Sequence, residues 1–358
     1  MLWFVGIGIN GYRGLSLHAL DILKKCDVIY VERFTSALSD NDIGSLHSVL
    51  GLEVKPIERW FVEDGREILE NAKSGQVALV TYGDPMIATT HGELRSRAAR
   101  DSIKTYVLHS ASGIYSSIGE TGLHHYKFGR MVTMMSDKQS AITVYNAIFD
   151  NLLSGCHTLI LTEYSSDEKG STFYLSPIEA FKLLSEVEAD QKYGVFSDSS
   201  FAVVASRTGL DNQQILSGRV GSLIRSEFGE GPHSLIITGP LHFTESETLV
   251  LLSRNLDQPT DNSQTLQRIS VQMVERYAPK AAVAVQHMRE MLRAETDGAA
   301  TNKGMFEVLD NAEYYISDSR RFLNQGKHDL AVLSIGYAEG LVDALRFQKG
   351  INPWESQS

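Results

Sequence analysis

At 358 residues the chain is long for one domain, and length alone points to two or three. Its 42% hydrophobic and 22% charged residues are those of an ordinary soluble globular protein, and no apolar run reaches the length that spans a bilayer. A net charge of −11 argues against a nucleic-acid binder. The two cysteines, Cys26 and Cys156, argue against a disulfide framework or a cysteine-ligated zinc site and fit a reducing cytoplasm.

The opening MLWFVGIGI is apolar but has no basic flank and no cleavage-type ending, so it reads as a strand rather than a signal peptide. Leu2 to Ile9 runs into Gly6-Ile7-Gly8-Ile9-Asn10-Gly11, which matches G-x-G-x-x-G, and Glu32 stands 21 residues beyond Gly11 at the end of a strand, Asp27 to Val31. That is the outline of a dinucleotide fingerprint. In the fingerprint, however, the helix opens within the glycines. Here Tyr12-Arg13-Gly14-Leu15 intervene, and Ser16 is placed to cap the helix LHALDILKKC. The glycines then let a loop pass close to a ligand, or to another loop.

Leu52 to Ile57 reads as a strand, Val62 to Ala72 as a helix, Gln76 to Tyr82 as a buried strand and Lys104 to His109 as another strand. Strands and helices alternating at this spacing predict a mostly parallel α/β sheet with ligands bound beyond the strands' carboxyl ends. The stretch Gln76 to His91 is the centre of that reading. Its strand breaks at Gly83-Asp84-Pro85, where Pro85 fixes φ and biases Asp84 toward an extended conformation. Thr89, Thr90 and His91 can cap the helix HGELRSRAARD that follows. Taken alone, the element is as simply explained by a plain strand-to-helix turn. The small-residue loop His109 to Gly113 opens a helix, Ile114 to Thr121, and offers free backbone N–H groups to a carboxylate or hydroxyl, or merely caps the helix.

A second block follows Lys127-Phe128-Gly129. It reads as helix Ser140 to Leu153, strand Thr158 to Thr162, helix Pro177 to Val187, strand Phe201 to Ser206, helix Asn212 to Ser226, strand Ser234 to Thr238 and a helix near Glu245 to Leu252. The expected architecture is two α/β lobes, residues 1–110 and 111–254, with the cleft between them as the default binding site. Residues 255–263, polar with a proline, read as a linker. Residues 264–358 read as an all-α domain: a helix Gln264 to Arg293 interrupted at Pro279, a small-residue loop Glu295 to Gly304, and a helical hairpin of Met305 to Leu323 and Leu330 to Phe347. Met288, Met291 and Met305 serve as packing residues there.

Six collinear segments carry a resemblance. LWFVGIGI, GDPMIATTHGELRSRA, HSASGIYSSIGETGLHHYKFG, GCHTLILTEY, ASRTGLDNQQILSGRVGSLI and GPHSLIITGPLHFTESETL, spanning residues 1 to about 254, resemble the diphthine synthases, within the tetrapyrrole-methylase-like superfamily of S-adenosylmethionine (SAM) methyltransferases. Gly-Asp-Pro is general to the superfamily; its continuation into Ala-Thr-Thr-His and the segment Gly-Leu-His-x-Tyr-Lys-Phe-Gly are specific to diphthine synthases. The resemblance implies two α/β domains, SAM in the interdomain cleft, a homodimer, and elongation factor 2 as protein substrate, with no nucleic acid or membrane partner. In archaeal members three methyls go onto the amino nitrogen of a 3-amino-3-carboxypropyl-histidine, giving diphthine. By motif, the SAM-contacting positions fall on Ile9, Asp84, Ile87, Ser112, Gly113, Thr208 and His233, with another near Tyr164. Two departures stand out. Ser112-Gly113-Ile114 is one residue longer than the family's usual serine-isoleucine, which leaves the register of Gly113 against Ile114 open. Tyr164 and the preceding Thr162-Glu163 also depart from the usual pattern. The stretch NAEYYISDSRRFLNQGKHDLAVLSIGYAEGLVDALRF resembles a small archaeal helical domain of uncharacterised function, and the fusion points to an archaeal source.

Methyl transfer from a sulfonium to an amine is an in-line displacement that consumes a neutral nitrogen lone pair. Positioning alone supplies at most about 7–11 kcal/mol of the barrier. An alkylammonium has a pKa of around 10, and desolvation in a cleft favours its neutral form. The chemistry therefore calls for no triad and no metal. Asp84 is the candidate acidic anchor for the cationic cofactor, and His233 is placed to close its adenosine side. His91 is a candidate proton acceptor or a helix-start cap, and His124 a structural or dimer-contact residue. The competing readings are a precorrin- or sirohaem-type methyltransferase, which needs a wide, basic-lined cleft, a dinucleotide-dependent oxidoreductase, and a non-catalytic SAM-binding scaffold.

Overall fold

The computed structural model describes residues 1–33, 38–166, 172–262, 266, 268–294 and 302–354. The chain forms two compact units, Met1–Leu266 and Gln267–Ser358.

The first unit opens with β1 (Leu2–Gly6), α1 (Leu17–Leu23), β2 (Val28–Glu32), α2 (Asp40–Leu50), β3 (Val54–Ile57), α3 (Arg59–Asp64), α4 (Arg66–Ser74), β4 (Val77–Thr81), α5 (His91–Arg100) and β5 (Thr105–Leu108). The strands form a parallel sheet in the order β3-β2-β4-β1-β5. Alternate residues feed two cores. Val5, Ile29, Val31, Ala78 and Val80 pack with Leu23 and Leu46 on one face. Leu2, Phe4, Tyr30, Val77 and Leu79 pack with Ile68 and Leu94 on the other. A strand covered on both faces has no polar side, which is why Val77–Thr81 is uniformly buried. Each such side chain contributes about 1.5–3 kcal/mol.

The second part of the unit holds α6 (Gly113–Thr121), β6 (Val132–Met134), α7 (Lys138–Leu153), β7 (Thr158–Thr162), β8 (Tyr164–Ser166), β9 (Thr172–Tyr174), α8 (Pro177–Gln191), β10 (Phe201–Ser206), β11 (Gln214–Arg219), α9 (Val220–Leu223), β12 (His233–Ile237), α10 (Phe243–Leu252) and β13 (Arg254–Asn255). Its mixed sheet runs β13-β11-β10-β12-β7-β6, with each of β11, β10, β12 and β7 antiparallel to its neighbour in that run. Helices α7 and α8 cover one face and α6 and α10 the other.

Three expectations need correction. The helix expected at Asn212 to Ser226 is mostly strand. Leu216, Val220 and Leu223 have helical spacing, but Ile215 and Leu216 are buried in opposite cores, the alternation of a strand held between β10 and β13. The helix expected at Val62 to Ala72 is broken at Gly65 into α3 and α4. Residues 255–262, expected to be a linker, are fastened to the second sheet: the Leu256 amide donates to Ser217 O, Asp257 accepts from the Arg219 amide, and Asn262 bonds Phe201 and Thr238. Residue 263, the helix start at Gln264 and most of the loop Glu295 to Gly304 lie outside the described residues.

The second unit is all α, as expected. A third element joins the hairpin: α11 (Ile269–Ala294) packs with α12 (Lys303–Asn324) and α13 (His328–Lys349) in one core of small and branched residues. Pro279 sits inside α11 without ending it, and Met288 and Met305 pack in the core.

Candidate active site

The site is built where the parallel sheet's carboxyl edge meets the second lobe. Gly8 and Gly83 pair as an isolated bridge, the Gly8 amide donating to Gly83 O at 3.2 Å and the Gly83 amide to Gly8 O at 2.8 Å. Both have positive φ, +71° and +75°, which side-chain-bearing residues avoid. The glycines of the opening motif thus hold one loop against another. The helix does not start within them: a short 3-10 turn, Gly11–Gly14, precedes α1, whose Ser16 side chain caps it by accepting from the Ala19 amide.

Asp84 is buried and its carboxylate fastens two loops. One oxygen accepts from the Met86 amide at 2.9 Å. The other accepts from the His109 ring at 2.9 Å and from the Ser110 amide at 3.2 Å. Ser112, N-cap of α6, uses no side-chain cap bond, and the first-turn N–H groups of that helix have no intrahelical partner. Asn10 Nδ2 reaches across to donate to Gly209 O of the second lobe at 2.7 Å, and within that lobe the Ser117 and Thr208 hydroxyls meet at 2.9 Å.

These loops enclose a cavity of about 580 Å3. Ile9, Asp84, Ile87, Ser112, Gly113, Tyr164, Thr208 and His233 all line it, so the structure brings every expected SAM position to one place. Gly113 and Ile114 both line it, so either register reaches it. His91 does not line it. Its ring is fully buried, Nδ1 donates to Pro85 O at 3.0 Å, and Nε2 lies 2.8 Å from Glu32 Oε2. His91 is therefore neither a cap nor a group that meets a ligand; it stands behind Glu32. A groove of about 630 Å3 among Arg66, Glu67, Arg97 and Asp101 is a charged surface that holds none of the expected residues.

Sequence reasoning did not place Glu32, noted only for its spacing from Gly11, Glu163, noted only as a departure from the family pattern, Arg59 or Thr81 at the site, yet all four line the cavity. Glu32 carried a signal, a charged residue closing an otherwise apolar parallel strand. Thr81 Oγ1 and His233 Nε2 are buried without a protein partner. A polar atom in that state is costly unless a ligand or water completes it. The other His233 nitrogen, Nδ1, lies 2.8 Å from the Ser206 hydroxyl; burial, then nearby Arg207, lowers the ring's pKa to about 4, so it is neutral at physiological pH. Burial raises the pKa of both the Tyr82 and Tyr164 hydroxyls, and Tyr82 donates to Ile9 O. Glu32, Asp84 and Glu163 bring three carboxylates to the lining, against the single guanidinium of Arg59 among the described residues.

His124 lies elsewhere, as a structural residue. Its amide donates to the buried Glu245 carboxylate at 2.8 Å, and its ring stacks on Tyr126.

Residues 1–224 match the family model of the tetrapyrrole (corrin/porphyrin) methylases. A diphthine synthase of Methanocaldococcus jannaschii is 35% identical over 259 residues, 72% of this chain and the whole of that relative. One of Methanosarcina mazei is 34% identical, over 73% of this chain and 99% of its own. The chain belongs to the diphthine synthase family. A crystal structure of a diphthine synthase matches with a TM-score of 0.63 at 29% identity, covering 71% of this chain and 96% of that one. An Entamoeba histolytica protein assigned as a diphthine synthase matches with a TM-score of 0.65 at 28% identity, covering 72% and 99%. Residues 276–351 match a family described as proteins of unknown function (DUF357).

Family membership makes the protein a SAM-dependent methyltransferase. The cavity fits that donor: its lining is acidic toward a cation, and buried polar atoms await partners. Among the described residues no group of histidine, cysteine and carboxylate side chains is arranged to hold a metal, and no helix is long and apolar enough to cross a membrane.

Proposed function

We propose that the protein methylates, three times, the amino nitrogen of the 3-amino-3-carboxypropyl group on the modified histidine of elongation factor 2, forming diphthine. The observation that carries this reading is the charge of the cavity. Three carboxylates and one guanidinium suit a cationic donor and an amine acceptor. An anionic tetrapyrrole would meet like charges and a buried carboxylate it cannot pair, which disfavours binding by several kcal/mol.

SAM supplies the methyl group on a sulfonium. In this reading Ile9, Ile87 and the first-turn amides after Ser112 hold its polar ends, and Thr208, Tyr164 and the neutral His233 close the adenosine side. Asp84 acts mainly by fixing the His109–Ser110 loop, with acceptor capacity left over for the cation. No group of the chain forms a bond to the methyl in transit; the residues align the amine and exclude water. Exposed Tyr115, Phe243, Leu251 and Leu252 support assembly as a homodimer.

The test is the intact mass of elongation factor 2 carrying the 3-amino-3-carboxypropyl-histidine, after incubation with the protein and SAM. A gain of three methyl groups is expected. No gain, with SAM binding confirmed separately, would overturn the acceptor assignment and favour a tetrapyrrole.

A further inference from the structure

The three helices of the second unit share one core, and α13 meets it with one seam. Ala331, Ile335, Ala338, Val342 and Leu345 follow one another at steps of four, three, four and three residues and are buried there. A second seam runs along the same helix. Leu330, Leu333, Tyr337, Gly340, Ala344 and Phe347 step by three, four, three, four and three, and all six are exposed. At 3.6 residues per turn the two seams lie on nearly opposite sides of α13. Every exposed residue of this helix from Leu330 to Phe347 is uncharged. The other two helices turn charge outward, with Glu275, Arg276 and Lys280 exposed on α11 and Glu307, Asp310 and Glu313 on α12. A surface helix ordinarily does the same, with one apolar stripe and a charged back. α13 has two apolar stripes.

The second seam has relief. Leu333 and Tyr337 are each 55% exposed and Phe347 is 75% exposed. Tyr337 is propped by Tyr315 of α12, the two rings stacked with centroids 5.4 Å apart. Next to it, nothing stands within 4 Å of where a Cβ would sit on Gly340. Large side chains at Leu333 and Tyr337 are thus followed by shallow places at Gly340 and Ala344. An aromatic side chain buries about 150–250 Å2 when fully covered, so these exposures offer on the order of 500 Å2 per copy. A pair of copies would then bury about 1,000 Å2, the threshold of a specific interface. A contiguous apolar surface of this kind marks a contact with another molecule.

The order of the residues selects the partner. The steps read the same from either end, so an antiparallel second copy meets the seam layer for layer. Tyr337 then lies over the partner's Gly340, Leu333 over the partner's Ala344 and Leu330 over the partner's Phe347, each layer occurring twice about a two-fold axis. Large meets small at the four inner layers. A parallel copy would set Tyr337 against its own mate and Gly340 against Gly340, crowding one layer and leaving a void in the next. No like charges are forced together, because the seam carries none. We propose that α13 pairs antiparallel with α13 of a second copy of this chain along the seam from Leu330 to Phe347. This contact belongs to the second unit, is separate from any pairing of the first unit, and does not depend on the acceptor reading.

The experiment uses the full chain. A Leu333→Cys chain and an Ala344→Cys chain are mixed in equal amounts, joined with a short bis-maleimide, and the linked peptides are identified by mass spectrometry. Each chain carries only one of the two changes, so a link from position 333 to position 344 joins two copies. The reference is the same mixture with Arg320→Cys, exposed on α12, in place of Ala344→Cys. Thiols held side by side react at an effective concentration far above bulk, so the 333-to-344 link should exceed the reference at least about tenfold. Adding Tyr337→Arg to both chains should return it to the reference level, with far-UV circular dichroism unchanged. Should that variant fail to fold, Gly340→Arg serves instead, at an exposed position with open space around it. A 333-to-344 link no stronger than the reference would overturn the proposal. So would a link from 333 to 333 that outweighs it, which would mean a parallel pair, or a 333-to-344 link that survives the arginine.

Discussion

The described residues of the first unit include two buried histidine–glutamate pairs, and they sit in different surroundings. In the second lobe His157 Nε2 lies 3.0 Å from Glu245 Oε1, and neither side chain is exposed. Glu245 also accepts from Lys127 Nζ at 2.5 Å and from the His124 and His242 amides at 2.8 Å, while His157 Nδ1 accepts from the Gly239 amide. Burial lowers the His157 pKa, and the ring is neutral with its proton on Nε2. Burial alone would raise the Glu245 pKa, but the Lys127 ammonium and the two amides outweigh it and hold it at about 2. In the first lobe His91 and Glu32 lie at 2.8 Å, but Glu32 borders the cavity. The pair of the second lobe is enclosed by protein on every side; the pair of the first lobe borders a cavity.

The largest expected effect tests the enclosed pair. Glu245→Ala takes the acceptor from the fully buried His157 ring, from two backbone amides and from the half-buried Lys127 ammonium, and should cost about 3–5 kcal/mol in denaturant unfolding. A loss below about 0.5 kcal/mol, the scale of a surface substitution, would break the comparison. Acid sharpens the same point. Glu245 has a folded pKa of about 2 against an ordinary 4.5, so its contribution of about 3 kcal/mol is complete above 4.5 and is lost as pH falls from 4.5 toward 2. Unfolding free energy measured across that window should fall more steeply in the wild type than in Glu245→Gln.

The cavity side gives smaller effects. Asp84→Ala frees the His109–Ser110 loop and should raise the S-adenosylhomocysteine Kd about tenfold by calorimetry. An unchanged Kd would separate Asp84 from the site. The smallest effect concerns pH. His233 is neutral down to about 4, so S-adenosylhomocysteine affinity should stay flat from pH 8 to near 5 and fall only below, as the ring gains a charge beside a buried cavity. A break near the ordinary 6.5 would mean that the ring is solvated.

The contrast explains what could be read beforehand. Strands such as Thr158–Thr162 and Phe201–Ser206 were legible because both faces are buried and their composition is continuous. Gln214–Arg219 was not, because its strand character comes from β10 and β13 on either side, while its apolar residues also fit a helix. The two-residue β13 carries no pattern of its own. The SAM positions were legible through the motif resemblance. Glu32 and Arg59 were not, because only the strand order carries them to the cavity. His91 was noticed for its chemistry, but its burial depends on contacts with Pro85 and Glu32 that no local spacing reveals.

Asn262 has a consequence for how this chain came to be joined. Its side-chain amide accepts from Phe201 N at 2.7 Å and donates to Phe201 O at 2.8 Å and Thr238 O at 2.7 Å. One carbonyl and one amino group thereby imitate a peptide unit and add a detached rung to the sheet. The M. jannaschii relative, complete in 259 aligned residues, is accounted for by about the same length of chain. The extra helices begin at Ile269, just beyond that rung. A splice there inherits a finished sheet and disturbs none of its bonds, whereas a junction a few residues earlier, at Asn255, would pull the rung away. Chain added beyond residue 262 therefore leaves every bond of the sheet in place.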